Sequence, residues 1–221
     1  MILELKNISK SFTIKGKKNV ILKEFDLTLQ KNDSLGVVGR NGAGKSTFLG
    51  LVSGIIYPDT GTIKRLGSIS WPIGRINCFQ GSLTGKQNCY FICKIYYGED
   101  NDQIKEILQK IESFADIGSF FDKPVKNYSA GMRSRLIFGI SLFIKFDIYL
   151  IDEITAAGDK QFRKKAYQAF LELKESSTII MVSHNLNEIK KSCNKLIWIK
   201  DGNPVFYNNV EKGITDYTKF Y

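Results

Sequence analysis

The apolar positions of residues 2–8 and 20–29 read as two strands, separated by a basic turn around Gly16. Residues 34–38 form a short apolar run that leads straight into a glycine-rich stretch. Residues 45–52 then read as a helix that ends near Gly54 and before Pro58. Further on, Ile104, Ile107, Leu108, Ile111 and Phe114 recur at helical spacing and mark one amphipathic helix. Residues 132–146 are apolar almost all round, which suits a buried helix. The runs 148–151 and 178–182 are short and apolar, as in parallel strands covered on both faces. Between them Phe162, Ala166, Phe170 and Leu173 line one side of another helix. The pattern predicts an α/β fold with a mostly parallel core sheet, an antiparallel N-terminal β subdomain and a helical subdomain over about residues 82–146, all within a single domain over 1–221.

Composition leaves that picture intact. The 221 residues are 43% hydrophobic and 24% charged, ordinary values for a globular protein. Charges in the first six residues do not suit a signal peptide. The longest apolar stretch, 136–144, contains Gly139 and Ser141 and is shorter than the ~20 residues of a spanning helix, so the chain is not expected to cross a membrane unaided. Cys78, Cys89, Cys93 and Cys193 lack paired C-x-x-C spacing and read as reduced, structural thiols. The net charge of +10 suits an anionic partner. Its basic residues are scattered, however, and the largest cluster is Lys15-Gly16-Lys17-Lys18. That favours a solvated surface attracted to an anionic membrane over a nucleic-acid face.

Chemistry enters at Gly39-Arg40-Asn41-Gly42-Ala43-Gly44-Lys45-Ser46, which fits G-x-x-x-x-G-K-[ST] between a predicted strand and a predicted helix. A triphosphate is dense in negative charge, and backbone N–H groups approach it only where side chains are absent. Gly39, Gly42 and Gly44 supply that access, and the helix offers its positive N-terminal end. Lys45 can reach the β- and γ-phosphates and the Ser46 hydroxyl can ligate Mg²⁺, so ATP and Mg²⁺ are expected. Arg40, Asn41, Ala43 and Thr47 complete the residues expected against the nucleotide.

Asp152 and Glu153 end the apolar run 148–151, at the edge of the sheet beside this loop. Asp152 suits the Mg²⁺ shell, and Glu153 could polarise the attacking water. His184, the single histidine, follows the run 178–182 and would reach the same edge, where it could contact the γ-phosphate. Ser129 and Gly131 open the apolar helix. Ser129 is a good N-cap, and this helix N-terminus could form another phosphate site with Gly131 allowing close approach. Taken singly, an Asp-Glu pair reads as a solvated turn, a lone histidine as structural and Ser129 as a cap only.

Together these motifs resemble the nucleotide-binding subunits of ABC transporters, ABC-type P-loop NTPases. Tyr128-Ser129-Ala130-Gly131-Met132 sits where that family has L-S-G-G-Q; Tyr128, Ala130 and Met132 depart from it, and Ser129 and Gly131 are kept. The resemblance implies that Phe12 stacks on adenine, that Gln80 is the Q-loop residue with a catalytic and Mg²⁺-contacting role, and that Gly158-Asp159 lies in the D-loop. It also implies a homodimer, in which Ser129 and Gly131 of one subunit cap the ATP held by the glycine loop of the other. Residues 69–74, 79–85, 128–138, 157–159 and 213–217 narrow the similarity to the ATPases of bacterial capsular polysaccharide export, essentially end to end. That branch implies an integral-membrane polysaccharide permease as partner, a place on the cytoplasmic face of the inner membrane and a lipid-linked acidic polysaccharide as cargo. Some O-antigen relatives carry an added carbohydrate-binding domain, for which this chain is expected to be too short.

The ATPase of another polysaccharide exporter, of O-antigen or teichoic acid type, stands as the alternative. A soluble ABC ATPase acting on nucleic acid or ribosomes would call for two ATPase modules or long coiled coils, neither of which is present, and no nucleic-acid partner is expected. A P-loop kinase or small GTPase leaves Ser129–Met132 unexplained. A nucleotide-gated scaffold differs from a motor only in turnover.

Overall fold

The computed structural model describes residues 1–14, 16–73, 79–152 and 159–221. Lys15, Gly74, Cys78, Glu153, Ala157 and Gly158, all singled out above, lie outside the described residues. In chain order the elements are β1 (Leu3–Ile14), β2 (Lys17–Leu29), β3 (Ser34–Val38), α1 (Lys45–Ser53), β4 (Thr60–Arg65), β5 (Ile69–Pro72), α2 (Gly85–Tyr97), α3 (Asn101–Ala115), α4 (Ala130–Phe143), β6 (Ile148–Asp152), α5 (Lys160–Ser176), β7 (Thr178–Val182), α6 (Leu186–Ser192), β8 (Lys195–Lys200), β9 (Asn203–Tyr207) and α7 (Val210–Phe220). They fall into two compact units: Met1–Ser70 with Phe146–Glu153 and Lys174–Tyr221, and Trp71–Lys145 with Ile154–Leu173.

The first unit holds two sheets. One is antiparallel, in the order β2-β1-β4, and the other has the order β5-β6-β7-β3-β8-β9. In the larger sheet β3 runs parallel to both β7 and β8, β6 runs parallel to β7, and β9 pairs antiparallel with β8. Every residue of β3 and β7 is buried, as their unbroken apolar runs predict. Leu3, Leu5 and Leu22 of the small sheet share one core with Leu35, Val37, Leu150, Ile180 and Ile197 of the large one, and Phe48 and Leu51 of α1 join it. Each such side chain contributes about 1.5–3 kcal/mol of burial.

β1 continues to Ile14, beyond the expected end near residue 8. The reason is a set of register shifts between Leu5 and Ser11, with Asn7 in the left-handed region at φ 50. These reset the side-chain alternation, so the strand carries on after its apolar pattern lapses. β2 likewise begins at Lys17, where exposed residues pair with the end of β1.

The second unit is built from helices. On α3 the residues Ile104, Ile107, Leu108, Ile111 and Phe114 are all buried, as their spacing predicts. Seven consecutive residues of α4, Leu136 to Leu142, are buried. This helix starts at Ala130 and stops at Phe143, earlier at both ends than the apolar run 132–146, because Ser129 caps it and Ile144 is already extended. Phe114 packs edge-on against Phe143 and Phe162, with ring centroids 5.6 and 5.4 Å apart. Among the described residues no helix is long and apolar enough to cross a membrane.

Candidate nucleotide site

Strand register sets the floor of the site in the first unit. Val182 of β7 lies level with Asp152 of β6 on one side and with Val37 of β3 on the other. The chain leaves β3 and β7, and β6 ends in Asp152, along one carboxyl edge of parallel strands, the place where open α/β sheets bind ligands. Gly39–Ser46, Asp152 and His184 therefore meet at that edge, and Ser46 stands in the first turn of α1.

Gly44 shows why this loop is glycine-rich. Its φ is +106, and a Cβ there would lie 2.2 Å from Cγ2 of Ile21 on β2. No side chain caps the start of α1 and no acidic residue stands in its first turn, so its leading N–H groups and positive end face an incoming anion. Lys45 is buried, and its ammonium donates to the carbonyls of Gly39 at 2.7 Å and Arg40 at 3.0 Å. Arg40 places its guanidinium 5.6 Å from the ring centroid of Tyr221.

Ser46 is exposed and Asp152 half-buried. A hydroxyl and a carboxylate form a hard oxygen donor set of the kind Mg²⁺ takes alongside substrate phosphates and water. Among the described residues no group of three or more His, Cys, Asp and Glu side chains is placed to hold a metal ion. His184 is exposed just past β7. Its neighbours are pinned: Ser183 donates to Glu188 at 2.6 Å and accepts from the Asn185 N–H at 3.1 Å, while Asn185 caps α6.

Phe12 lies on β1 and is 37% exposed. It pairs with Asn19 on β2, two residues along from the Ile21 that abuts Gly44, so it stands about 7 Å along the hairpin from the phosphate loop. Lys10 lies 5.2 Å from its ring centroid.

The second unit carries Gln80, Ser129 and Gly131. The Gln80 backbone is gripped by the buried side chain of Asn88, whose Oδ1 accepts from the Gln80 N–H at 2.8 Å and whose Nδ2 donates to the Gln80 carbonyl at 3.1 Å. Asn88 also donates to the carbonyl of Thr84 at 2.9 Å, and the Gln80 side chain is left exposed. Ser129 accepts from the Met132 N–H at 3.2 Å as the N-cap of α4. At Gly131 a Cβ would meet nothing closer than Ser129 Oγ at 3.8 Å, so packing does not demand glycine there. Both residues line an open cleft of about 870 Å³, together with Met132, Arg135 and Asp159. Tyr128, which departs from the family leucine, donates its hydroxyl to the Phe120 carbonyl at 2.6 Å, and burial pushes its phenol up to about 12. Arg135 donates to Asp159 and stacks 5.1 Å from the Phe162 ring centroid. Asp159 also caps α5 by accepting from the Phe162 N–H, and these bonds hold its carboxyl below the usual carboxylate range.

The sequence profile of the ABC transporter family matches residues 22–156, a span holding the glycine loop, Gln80, Ser129–Gly131 and Asp152. The chain belongs to the ABC transporter family. It is 42% identical over 219 residues to the polysialic acid transport ATP-binding protein KpsT of Escherichia coli, covering 99% of each chain. It is 38% identical over 216 residues to the capsule polysaccharide export ATP-binding protein CtrD of Neisseria meningitidis serogroup B, covering 98% of each. Its fold matches the dimeric post-hydrolysis ATP-binding cassette MJ0796 bound to ADP and Pi, with a TM-score of 0.76 at 20% identity over 91% of this chain and 96% of that one. At that identity the likeness speaks for the ABC ATPase fold alone.

Two polar residues escaped the reading of the sequence of this family member. Asn88 reaches back eight positions to Gln80, and Asp59 reaches back forty-eight to Ser11. A signal existed for Asn88, a lone amide on the helix face that also carries the buried Cys89, Ile92 and Cys93. Asp59, in a polar turn, offered none.

Proposed function

We propose that this chain is the ATP-hydrolysing motor subunit of an ABC exporter that moves a lipid-linked capsular, acidic polysaccharide across the inner membrane. What carries this reading is the end-to-end likeness to polysialic acid and capsule export ATP-binding proteins. In it, the N–H groups of Gly39–Ser46 and of the first turn of α1 hold the β- and γ-phosphates, with Arg40, Asn41, Ala43 and Thr47 against the nucleotide. Lys45 brings its ammonium to the same oxygens, and Phe12 stacks on the adenine. Ser46, Asp152 and Gln80 would hold Mg²⁺, which would supply neutralisation of charge on the β- and γ-phosphates. Glu153 polarises the attacking water and accepts its proton; the water oxygen bonds to the γ-phosphorus as the bond from that phosphorus to the β–γ bridging oxygen breaks, and ADP and inorganic phosphate leave. His184 donates to the γ-phosphate and steadies the water. Ser129 and Gly131 of a second copy cap the same phosphate from the N-terminus of α4, so turnover belongs to a homodimer. The dimer docks beneath an integral-membrane permease at the cytoplasmic face of the inner membrane.

The test is complementation of a capsule-negative strain that lacks its own export ATPase but keeps the matching permease. This chain should restore surface polysaccharide, and Lys45→Ala should leave polysaccharide inside the cell. Purification of the functional chain with ribosomes and without a permease would overturn the reading.

A further inference from the structure

We propose that Asp59 is a positioning residue of the nucleotide site, seating the Phe12 ring without touching the nucleotide. This rests on the reading of Phe12 as the adenine platform.

β1 is the middle strand of its sheet, but its two partners do not run equally far. Pairing with β2 continues to Ile14, whereas pairing with β4 runs only to Ser9 opposite Thr60. Just past that point the edge of β1 turns to Asp59, the residue before β4. The Asp59 N–H donates to the Ser9 carbonyl at 2.8 Å. Its carboxylate then accepts from the Ser11 N–H at 2.7 Å, from the Ser11 hydroxyl at 2.8 Å and from the Lys10 ammonium at 2.7 Å. A side chain thus continues the ladder where the strand stops, and the next residue is Phe12. Hydrogen bonds from Lys10 and Ser11 hold this carboxyl down at about 2, so it accepts as a carboxylate throughout the neutral range.

Lys10 serves twice. Tied to Asp59, it also lies 5.2 Å from the centroid of the Phe12 ring, which leaves the opposite face for a base. Asp59 is in turn anchored to the phosphate side of the site. The Ile56 N–H donates to the Gly50 carbonyl of α1 at 2.9 Å, and Ile56 Cδ1 lies 2.7 Å from where a Cβ on Gly50 would be. The helix that begins at Lys45 and Ser46 is therefore linked through one short, tied-down turn to the strand end that bears the ring. Without the carboxylate, one edge of residues 10–12 loses its partner and nucleotide binding must order the ring at its own cost.

The experiment is titration calorimetry on the full chain with two probes, Mg-ATP and tripolyphosphate, the second of which lacks a base. Asp59→Asn should weaken ATP about fivefold and leave tripolyphosphate unchanged. Lys10→Met, which loosens the same carboxylate should the first variant fold poorly, should give the same split. Phe12→Ala should weaken ATP at least as much, and Asp59→Asn should add nothing to it. Equal weakening of both probes, or unchanged ATP binding in Asp59→Asn and Lys10→Met, overturns the proposal. Unchanged ATP binding in Phe12→Ala overturns the adenine reading itself and the proposal with it.

Discussion

Ile21 of the antiparallel sheet seats Cγ2 2.2 Å from the point where a side chain on Gly44 would begin. The contact ties the hairpin that bears Phe12 to the loop that bears Lys45. Gly44→Ala must displace Ile21 and hold alanine at a φ of +106. It should destabilise the protein by about 2 kcal/mol or more and reduce nucleotide affinity, read by urea unfolding and ATP titration. Wild-type stability in this variant would contradict the packing described.

Glu153→Gln removes the proposed base and keeps its shape. Turnover should fall at least about a hundredfold while ATP still binds. An ATP-bound dimer should accumulate on size-exclusion chromatography. Wild-type turnover by this variant would exclude Glu153 from the role assigned to it.

The Asp59 carboxyl sits at about 2 in the folded chain against an ordinary 3.8. A depressed folded value means that the clamp stabilises the fold above the unfolded pKa and is lost as pH falls through the folded one. The stability difference between wild type and Asp59→Asn should hold steady from neutral pH down to about 5 and shrink towards about 2. Urea midpoints measured across pH provide the check. A difference that grows on acidification would give the wrong sign.

Burial pushes the Cys93 thiol up to about 11 and the Cys193 thiol up to about 12, and Cys89 is buried beside Cys93 on α2. A thiol that stays protonated and covered reacts poorly. Alkylation of these three, followed peptide by peptide with mass spectrometry, should track unfolding in urea. Rapid native labelling of Cys193 would contradict its burial.

The parts of the fold legible in the sequence are those whose cause is local. Residues 34–52 combine an apolar strand, a glycine loop and a helix within one short stretch, and α3 places five apolar residues on one buried face. α2 was harder to see because Phe91 and Ile95 point outward, 60% and 64% exposed, and blur the period. β8 takes its place by pairing with β3, far away in the chain, and β9 then folds back on it as the second strand of a hairpin. The site divides in the same way. Lys45, Ser46, Asp152 and His184 could be placed from motif and strand end, whereas Phe12 and Gln80 came through family resemblance. The grips of Asp59 and Asn88 arise only once distant segments have been brought together.

The chain's two tryptophans fall one to each unit. Trp71 donates its indole N–H to Ser141 at 2.8 Å within the helical unit. Trp198 lies level with Val38, the residue that leads into Gly39, and meets Tyr217 edge-on at 5.6 Å. The two tryptophans should therefore serve as built-in optical reporters, Trp198 of the strand beside the phosphate loop and Trp71 of the helical unit, with Trp71→Phe or Trp198→Phe isolating either signal without an attached dye.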